Sequence, residues 1–286
     1  TNVEPTSLVA GAQGNVTVSF TLATDLPNNG KILVVFPSGF NLAAVTSGSV
    51  VSSGTPKDIN GTLTASISGQ TVTIARGGAA TTISAGTPID DLVILNVKNP
   101  VVSGPTGAYR IDTRTSGNAI LDQDLAVASD PISAGALGGP ANVEPGQLTS
   151  SYVGDVTVTF TTANPIPANG KIVVAFGSGF TFGINGSTAV VSTINMNGTF
   201  LANADNLNRT VTVTRQNDGA QVNAGTAVTI KLSNIRNPQI SGSTGNYQIK
   251  TQNNSADAII DQDLAVAADT ITAGALGGPA NVQPAS

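Results

Sequence analysis

Apolar residues alternate with hydroxyl and amide residues along most of the chain. Val16, Val18, Phe20 and Leu22 are spaced by Thr17, Ser19 and Thr21, and Val156, Val158 and Phe160 by Thr157 and Thr159. A period of two is that of a strand with one buried face. Leu63/Ala65/Ile67, Val72/Ile74, Tyr109/Ile111, Val228/Ile230/Leu232 and Tyr247/Ile249 repeat it. The run Ile32-Leu-Val-Val-Phe36 is apolar throughout, which suits a central strand. Between these segments lie the turn signals Asn28-Asn29-Gly30, Pro37-Ser38-Gly39, Asn60-Gly61, Ser68-Gly69 and Ser116-Gly117-Asn118. No window shows apolar residues at helical spacing. The pattern predicts about eight or nine short strands per repeat, folded as an antiparallel β-sandwich.

The repeat is explicit. Gly135-Ala-Leu-Gly-Gly-Pro-Ala-Asn-Val-Glu-Pro145 returns as Gly274-Ala-Leu-Gly-Gly-Pro-Ala-Asn-Val-Gln-Pro284, and Asp122-Gln-Asp-Leu-Ala-Val-Ala128 as Asp261-Gln-Asp-Leu-Ala-Val-Ala267. Asn96-Val-Lys-Asn-Pro100 returns as Asn234-Ile-Arg-Asn-Pro238. The fold class expected is therefore all-β, with two tandem immunoglobulin-like sandwiches joined by a short Gly/Ala/Pro linker. The divisions read from the repeat are 1–134, a linker at 135–141, 142–273, a second linker at 274–280, and an opening strand at 281–286. That opening, Asn-Val-Glu/Gln-Pro, occurs at Asn2, Asn142 and Asn281, so three openings accompany two bodies. The third is expected either to begin a further repeat or to be donated to another subunit. Leu137, Pro140, Val143 and Pro145, with Leu276, Pro279, Val282 and Pro284, are the junction residues this arrangement implies.

The segment Gly30-Lys-Ile-Leu-Val-Val-Phe-Pro-Ser-Gly-Phe40, kept as Gly170-Lys-Ile-Val-Val-Ala-Phe-Gly-Ser-Gly-Phe180, resembles immunoglobulin-like repeats of prokaryotic surface-layer and extracellular filament proteins. Gly177 departs from it where the first copy has Pro37. The resemblance implies a structural or adhesive surface module and carries over no catalytic residue. Read without it, Phe36, Phe40, Phe176 and Phe180 simply pack a core after a central strand.

Composition narrows the chemistry. His, Cys and Trp are absent, which excludes a Ser-His-Asp triad, a cysteine nucleophile, haem or iron–sulfur ligation and a His/Cys zinc site. The chain reads as non-enzymatic. A net charge of −5 opposes a nucleic-acid partner. No continuous apolar helix suits a membrane span, and Thr1–Pro5 lacks the regions of a signal peptide, so the chain reads as a mature or excised piece. Charged residues make up 10% of the chain, against about 25% in ordinary soluble domains. A surface so weakly self-repelling favours assembly or a coat of sugar.

Four sets of residues remain as candidates. Asp122 and Asp124, like Asp261 and Asp263, are two apart and share a face of a strand. They could ligate calcium with help from Asp130 and Asp269, or decorate the solvent face while Leu121, Leu125 and Val127 point inward. No other cofactor is implied. The pair Asp90-Asp91 has no counterpart in the second copy and reads as surface. Lys31 and Lys171 occupy matching places and are candidates for an amide cross-link to Asn96, Asn99, Asn234 or Asn237. Sequons stand at Asn15, Asn60, Asn185, Asn197, Asn208 and Asn253, about as many as chance gives, but Asn60 and Asn197 fall in matching turns. Tyr109 and Tyr247 sit within strand alternations and read as core-edge or corner residues.

These features lead to an extracellular or cell-surface location and to self-association into a polymer or tandem array, with glycans as further partners. The function expected is a structural subunit of an extracellular filament, sheath or surface fibre. The alternative is an adhesin or glycan-binding stalk, recognising its ligand through the segments where the copies diverge, 41–76 and 181–215.

Overall fold

The computed structural model describes residues 1–277, and every regular element among them is a strand. No helix of these residues is long and apolar enough to cross a membrane. The junction residues Pro279, Val282 and Pro284, and the opening strand at 281–286, lie outside the described residues.

The chain divides into two compact units, Thr1–Gly135 and Ala136–Ser286. Unit 1 carries β1 (Asn2–Pro5), β2 (Gln13–Thr21), β3 (Lys31–Val35), β4 (Val50–Ser52), β5 (Thr62–Ser68), β6 (Thr71–Gly77), β7 (Pro88–Lys98), β8 (Gly104–Pro105), β9 (Tyr109–Arg114), β10 (Ile120–Val127) and β11 (Pro131–Ile132). One sheet runs β1-β2-β7-β4 and the other β10-β9-β3-β6-β5, with β8 and β11 as a two-residue ladder. All these pairings are antiparallel.

After β12 (Gly135–Ala136), unit 2 repeats the plan. Its strands are β13 (Gly138–Pro145), β14 (Val153–Thr161), β15 (Lys171–Ala175), β16 (Thr181–Phe182), β17 (Val190–Ile194), β18 (Phe200–Asp205), β19 (Thr210–Arg215), β20 (Ala227–Arg236), β21 (Gly242–Ser243), β22 (Tyr247–Gln252), β23 (Ile259–Val266) and β24 (Thr270–Ile271). The order β13-β14-β20-β16, with β17 also on β20, mirrors the first sheet of unit 1, and β23-β22-β15-β19-β18 mirrors the second.

The two-residue period dictates this directly. On β2 the side chains of Val16, Val18 and Phe20 are buried, and on β6 so are Val72 and Ile74. The apolar run at 32–36 is central, as expected: β3 pairs with β6 on one side and β9 on the other. Ile32, Val34 and Phe36 are inside; Leu33 and Val35 on the opposite face stay half-buried. Phe36, Phe40 and Tyr109 pack together with ring centroids 5.2–5.8 Å apart, and Phe176, Phe180 and Tyr247 repeat the cluster. The four phenylalanines are thus core.

Two expectations about this framework need correcting. Residues 138–141 of the expected linker belong to β13, which pairs antiparallel with β14. Val143 and Pro145, expected at a junction, are buried in their own unit, where they face Val158 and Val156 across that ladder.

Candidate functional site: the repeat junction and the polar clusters

The opening strand completes its own sheet in both units. Asn2–Pro5 pairs with Val16–Ser19, and Asn142–Pro145 with Val156–Thr159. Ahead of it in unit 2, the Leu137 N–H donates to the Gln262 carbonyl at 3.2 Å, and Leu137 packs on the hydrophobic core with Ala141. Pro140 stays exposed. The matching Leu276 is 94% exposed.

The paired aspartates are anchored within their own units. The Asp122 carboxylate accepts from the Thr24 N–H (3.2 Å) and the Thr113 hydroxyl (3.1 Å). Asp261 is fully buried and accepts from the N–H groups of Ala163 (3.0 Å) and Asn164 (2.8 Å) and from the Asn164 side-chain amide (2.8 Å). Asp124 and Asp263 accept from the N–H groups of Ala126 and Ala265. Among the described residues no group of three or more acidic side chains is placed to hold a metal ion. Leu125, expected inside, is 57% exposed, because β10 changes register between Asp124 and Val127.

Asp130 and Asp269 serve a different purpose from that expected. Each accepts from a buried tyrosine, Tyr109 at 2.6 Å and Tyr247 at 2.8 Å, while its N–H bonds the hydroxyl of Thr106 or Thr244. Burial raises both carboxyls above the ordinary value, and the tyrosine O–H partly offsets it. Burial likewise pushes both phenols up. This is the corner role expected for the tyrosines.

Lys31 donates to the Asn118 side chain at 2.8 Å, and Lys171 pairs with Asp257 at 2.5 Å, rather than with the asparagines expected. Asn99 and Asn237 are buried, and their amides clamp the carbonyls of Ser7 and Val9, and of Gln147 and Thr149. Asn96 and Asn234 adopt left-handed backbone conformations, φ 64° and 57°.

Among the sequons, Asn15, Asn185, Asn197 and Asn208 are exposed, while Asn60 and Asn253 are half-buried. Asn208 donates to Asp205 at 2.6 Å. The Asn60 side chain accepts from Arg76 (3.0 Å) and the Thr81 N–H (2.9 Å) and donates to the Thr81 hydroxyl (2.7 Å). Asn60 is therefore part of a structural network.

The pattern reading passed over that network. Arg76 and Arg215 are 4% and 2% exposed. Arg76 donates to the carbonyls of Leu26, Pro27 and Thr81, and Arg215 to those of Ile166, Pro167, Asn197 and Ala220. Burial lowers both guanidinium values. The signal was parity: Val72, Ile74 and Arg76 share one face of β6, as Val211, Val213 and Arg215 share one face of β19. Asp91, read as surface, is 8% exposed and accepts from the Ser52 hydroxyl and the N–H groups of Gly54 and Asp58.

No family model matches the chain, and no curated protein matches it. Solved structures resemble it in part. The N-terminal domain of a Streptococcus gordonii adhesin is 13% identical with a TM-score of 0.34, the match covering 91% of this chain and 56% of that one. The full-length major pilin SpaD of Corynebacterium diphtheriae is 9% identical with a TM-score of 0.31, covering 87% and 58%. A type II cohesin dyad from the Acetivibrio cellulolyticus adaptor scaffoldin is 6% identical with a TM-score of 0.25, covering 89% and 88%. The chain thus spans little more than half the length of the adhesin and pilin structures. Scores this low place it in none of these families.

Proposed function

We propose that this chain is a non-enzymatic structural subunit of an extracellular filament, sheath or surface fibre built from β-sandwich repeats. The observation that carries the reading is the junction. The segment between repeats is ordered structure of unit 2, with Leu137 on its core and 138–145 in its sheet. A repeat that takes its joining segment into its own fold is a unit for stacking rather than a bead on a tether. The charge-poor surface supports the same reading, since little repulsion opposes contact between copies. Electron microscopy of native material, with antibody labelling, is expected to show filaments or a sheath at the cell surface; monodisperse labelled particles overturn it. Strand donation, occupied sequons and a calcium ion are elaborations of this proposal that await their own tests.

One observation favours an adhesin as the second reading. Unit 2 exposes Ile184, Val191, Ile194, Leu201 and Leu207 within the divergent segment 181–215, Leu207 at 85%. Binding of the chain to a glycan array or to cells, lost in Leu201→Ser/Leu207→Ser, favours that reading; binding that survives the pair removes it.

A further inference from the structure

The two units differ at one edge of the sandwich. In unit 1 the segment Val45–Ser49 bridges the two sheets. The Ser49 carbonyl accepts from the Leu95 N–H of β7 at 2.8 Å, and the Ser47 carbonyl from the Ala65 N–H of β5 at 2.9 Å. Val45 pins the segment to the core at 6% exposure, and the Ser49 hydroxyl closes its turn by accepting from the Thr46 N–H. The edge of β5 is thereby covered, and Ala65 is 4% exposed.

Unit 2 keeps the first of these ties and loses the second. Ala189 stands for Ser49, and its carbonyl still accepts from the Ser233 N–H at 2.9 Å. Asn185 stands for Val45 and is exposed, so the apolar pin is gone. The Ser187 carbonyl, counterpart of Ser47, accepts instead from the Asn234 side-chain amide at 2.9 Å. Ala202, counterpart of Ala65, faces an open edge. The Arg215 N–H turns away from β18 to the Gly170 carbonyl, so Leu201, Asn203 and Asp205 bond β19 while the N–H groups of Ala202 and Ala204 point outward.

The result is a cleft of about 500 Å³ walled by Phe182, Ser187, Thr188, Ala202, Asn203 and Ala204, and no charged side chain lines it. Thr188, where unit 1 has Gly48, is 5% exposed, and its hydroxyl has no hydrogen-bond partner among the described residues. Buried donors left without acceptors cost stability that a ligand can restore. We propose that this cleft binds an extended, uncharged peptide segment, which adds to the edge of β18 and offers a carbonyl to the Ala202 N–H. The Thr188 hydroxyl bonds the same peptide backbone. Unit 1 defines the chemistry of the occupant, because its own segment fills the matching place with one branched apolar residue followed by small hydroxyl residues. Strand addition also sets a side chain of the peptide beside Leu201, which is 61% exposed. The site goes beyond the fibre reading and does not depend on it.

A single short strand gives a weak contact, with a dissociation constant on the order of 1 mM. The test uses the full chain, labelled with 15N and titrated with acetyl-Ala-Val-Thr-Ser-Gly-Ser-amide, the sequence of Ala44–Ser49. Amide shifts are expected at Ser187, Ala202, Asn203 and Ala204 and not at Ser47, Ala65, Ser66 and Ile67, where the protein's own segment already sits. In the free chain the Ala65 amide exchanges slowly and the Ala202 amide fast; the peptide slows the latter. Thr188→Val keeps the shape of the side chain without its hydroxyl and is expected to weaken binding about threefold to tenfold. Ala202→Pro deletes an N–H that faces outward from an edge strand and is expected to abolish binding, with thermal unfolding as the check that it folds. No shifts at several millimolar peptide, equal shifts in both units, or unchanged affinity of Thr188→Val overturns the site. So does a neutral oligosaccharide that shifts these amides where the peptide does not. Filaments of native material that persist alongside such a result leave the fibre reading standing, and peptide binding without filaments does the reverse.

Discussion

Replacing Arg215 with methionine tests whether a lone buried cation holds unit 2 together. Its Nη1 donates to the carbonyls of Ile166 (3.3 Å) and Pro167 (2.5 Å), and its Nη2 to those of Asn197 (3.3 Å) and Ala220 (2.5 Å). The guanidinium thus ties the turn before β15 to the loops that follow β17 and β19. Methionine keeps the apolar stem and deletes every donor. A hydrogen bond from a charged donor contributes about 1.5–3 kcal/mol, and a stranded buried carbonyl costs about 1–3 kcal/mol. Two bonds here are short and two long, and some of the freed carbonyls recover water. The expected loss is about 3–5 kcal/mol, at the upper end for a single substitution. Arg215→Lys keeps the charge but not the fork that reaches both sides, and is expected to recover less than half of the loss. Urea unfolding followed by circular dichroism measures the total, and amide exchange at Val211 and Val213 locates it in unit 2. A loss below about 1 kcal/mol, or full recovery by lysine, would refute the claim that carbonyl ties, rather than stem packing or charge, are what Arg215 supplies.

Three further outcomes follow from the polar clusters and one close approach. Tyr247→Phe removes the O–H that favours the Asp269 carboxylate, so its pKa rises further and stability falls by about 1 kcal/mol; a carbon-detected carboxyl titration showing no rise contradicts this. The Asp112 carboxyl, buried yet paired with Arg110 and Arg114 at 2.6 Å, is raised by burial and lowered further by the two guanidinium groups, leaving it below its ordinary 3.8. A depressed folded value gives stability that is present above the unfolded value and lost as pH falls through the folded one. Asp112→Asn is therefore expected to cost about 1–3 kcal/mol at neutral pH and progressively less toward pH 2, and a pH-independent penalty excludes the ion pairs as its source. Gly177→Ala puts a Cβ 1.7 Å from the Thr244 carbonyl oxygen, so the backbone must move; thermal unfolding is expected to show a loss of about 1–3 kcal/mol, and an unchanged midpoint means the approach is easily relieved.

Much of the fold was legible because strand parity speaks plainly. Val16, Val18 and Phe20, or Val228, Ile230 and Leu232, declare a buried face without help from any other part of the chain. The polar interior was not legible by the same means. Arg76 and Asp91 look like surface residues until parity is given priority over residue type, and their acceptors and donors come from segments up to 50 positions away. Leu125 was misread because a bulge shifts the phase of β10, and neighbouring residues give no sign of it. The junction was hidden for the opposite reason. Gly138-Gly139-Pro140 looks like slack, yet it is strand, and Gly139 takes a left-handed φ of 66° where a Cβ would stand 3.1 Å from Thr161 Oγ1.

The two buried arginines also bear on how the molecule meets its surroundings. Dissolved ions weaken exposed charge pairs and leave carbonyl dipoles inside a protein almost untouched. Among the described residues there are only four ion contacts, while Arg76 and Arg215 are held wholly by carbonyl groups and one side-chain amide. Ties of this kind keep nearly the same strength in dilute water and in brine, so the ends of β6 and β19 are held as firmly at one salinity as at another.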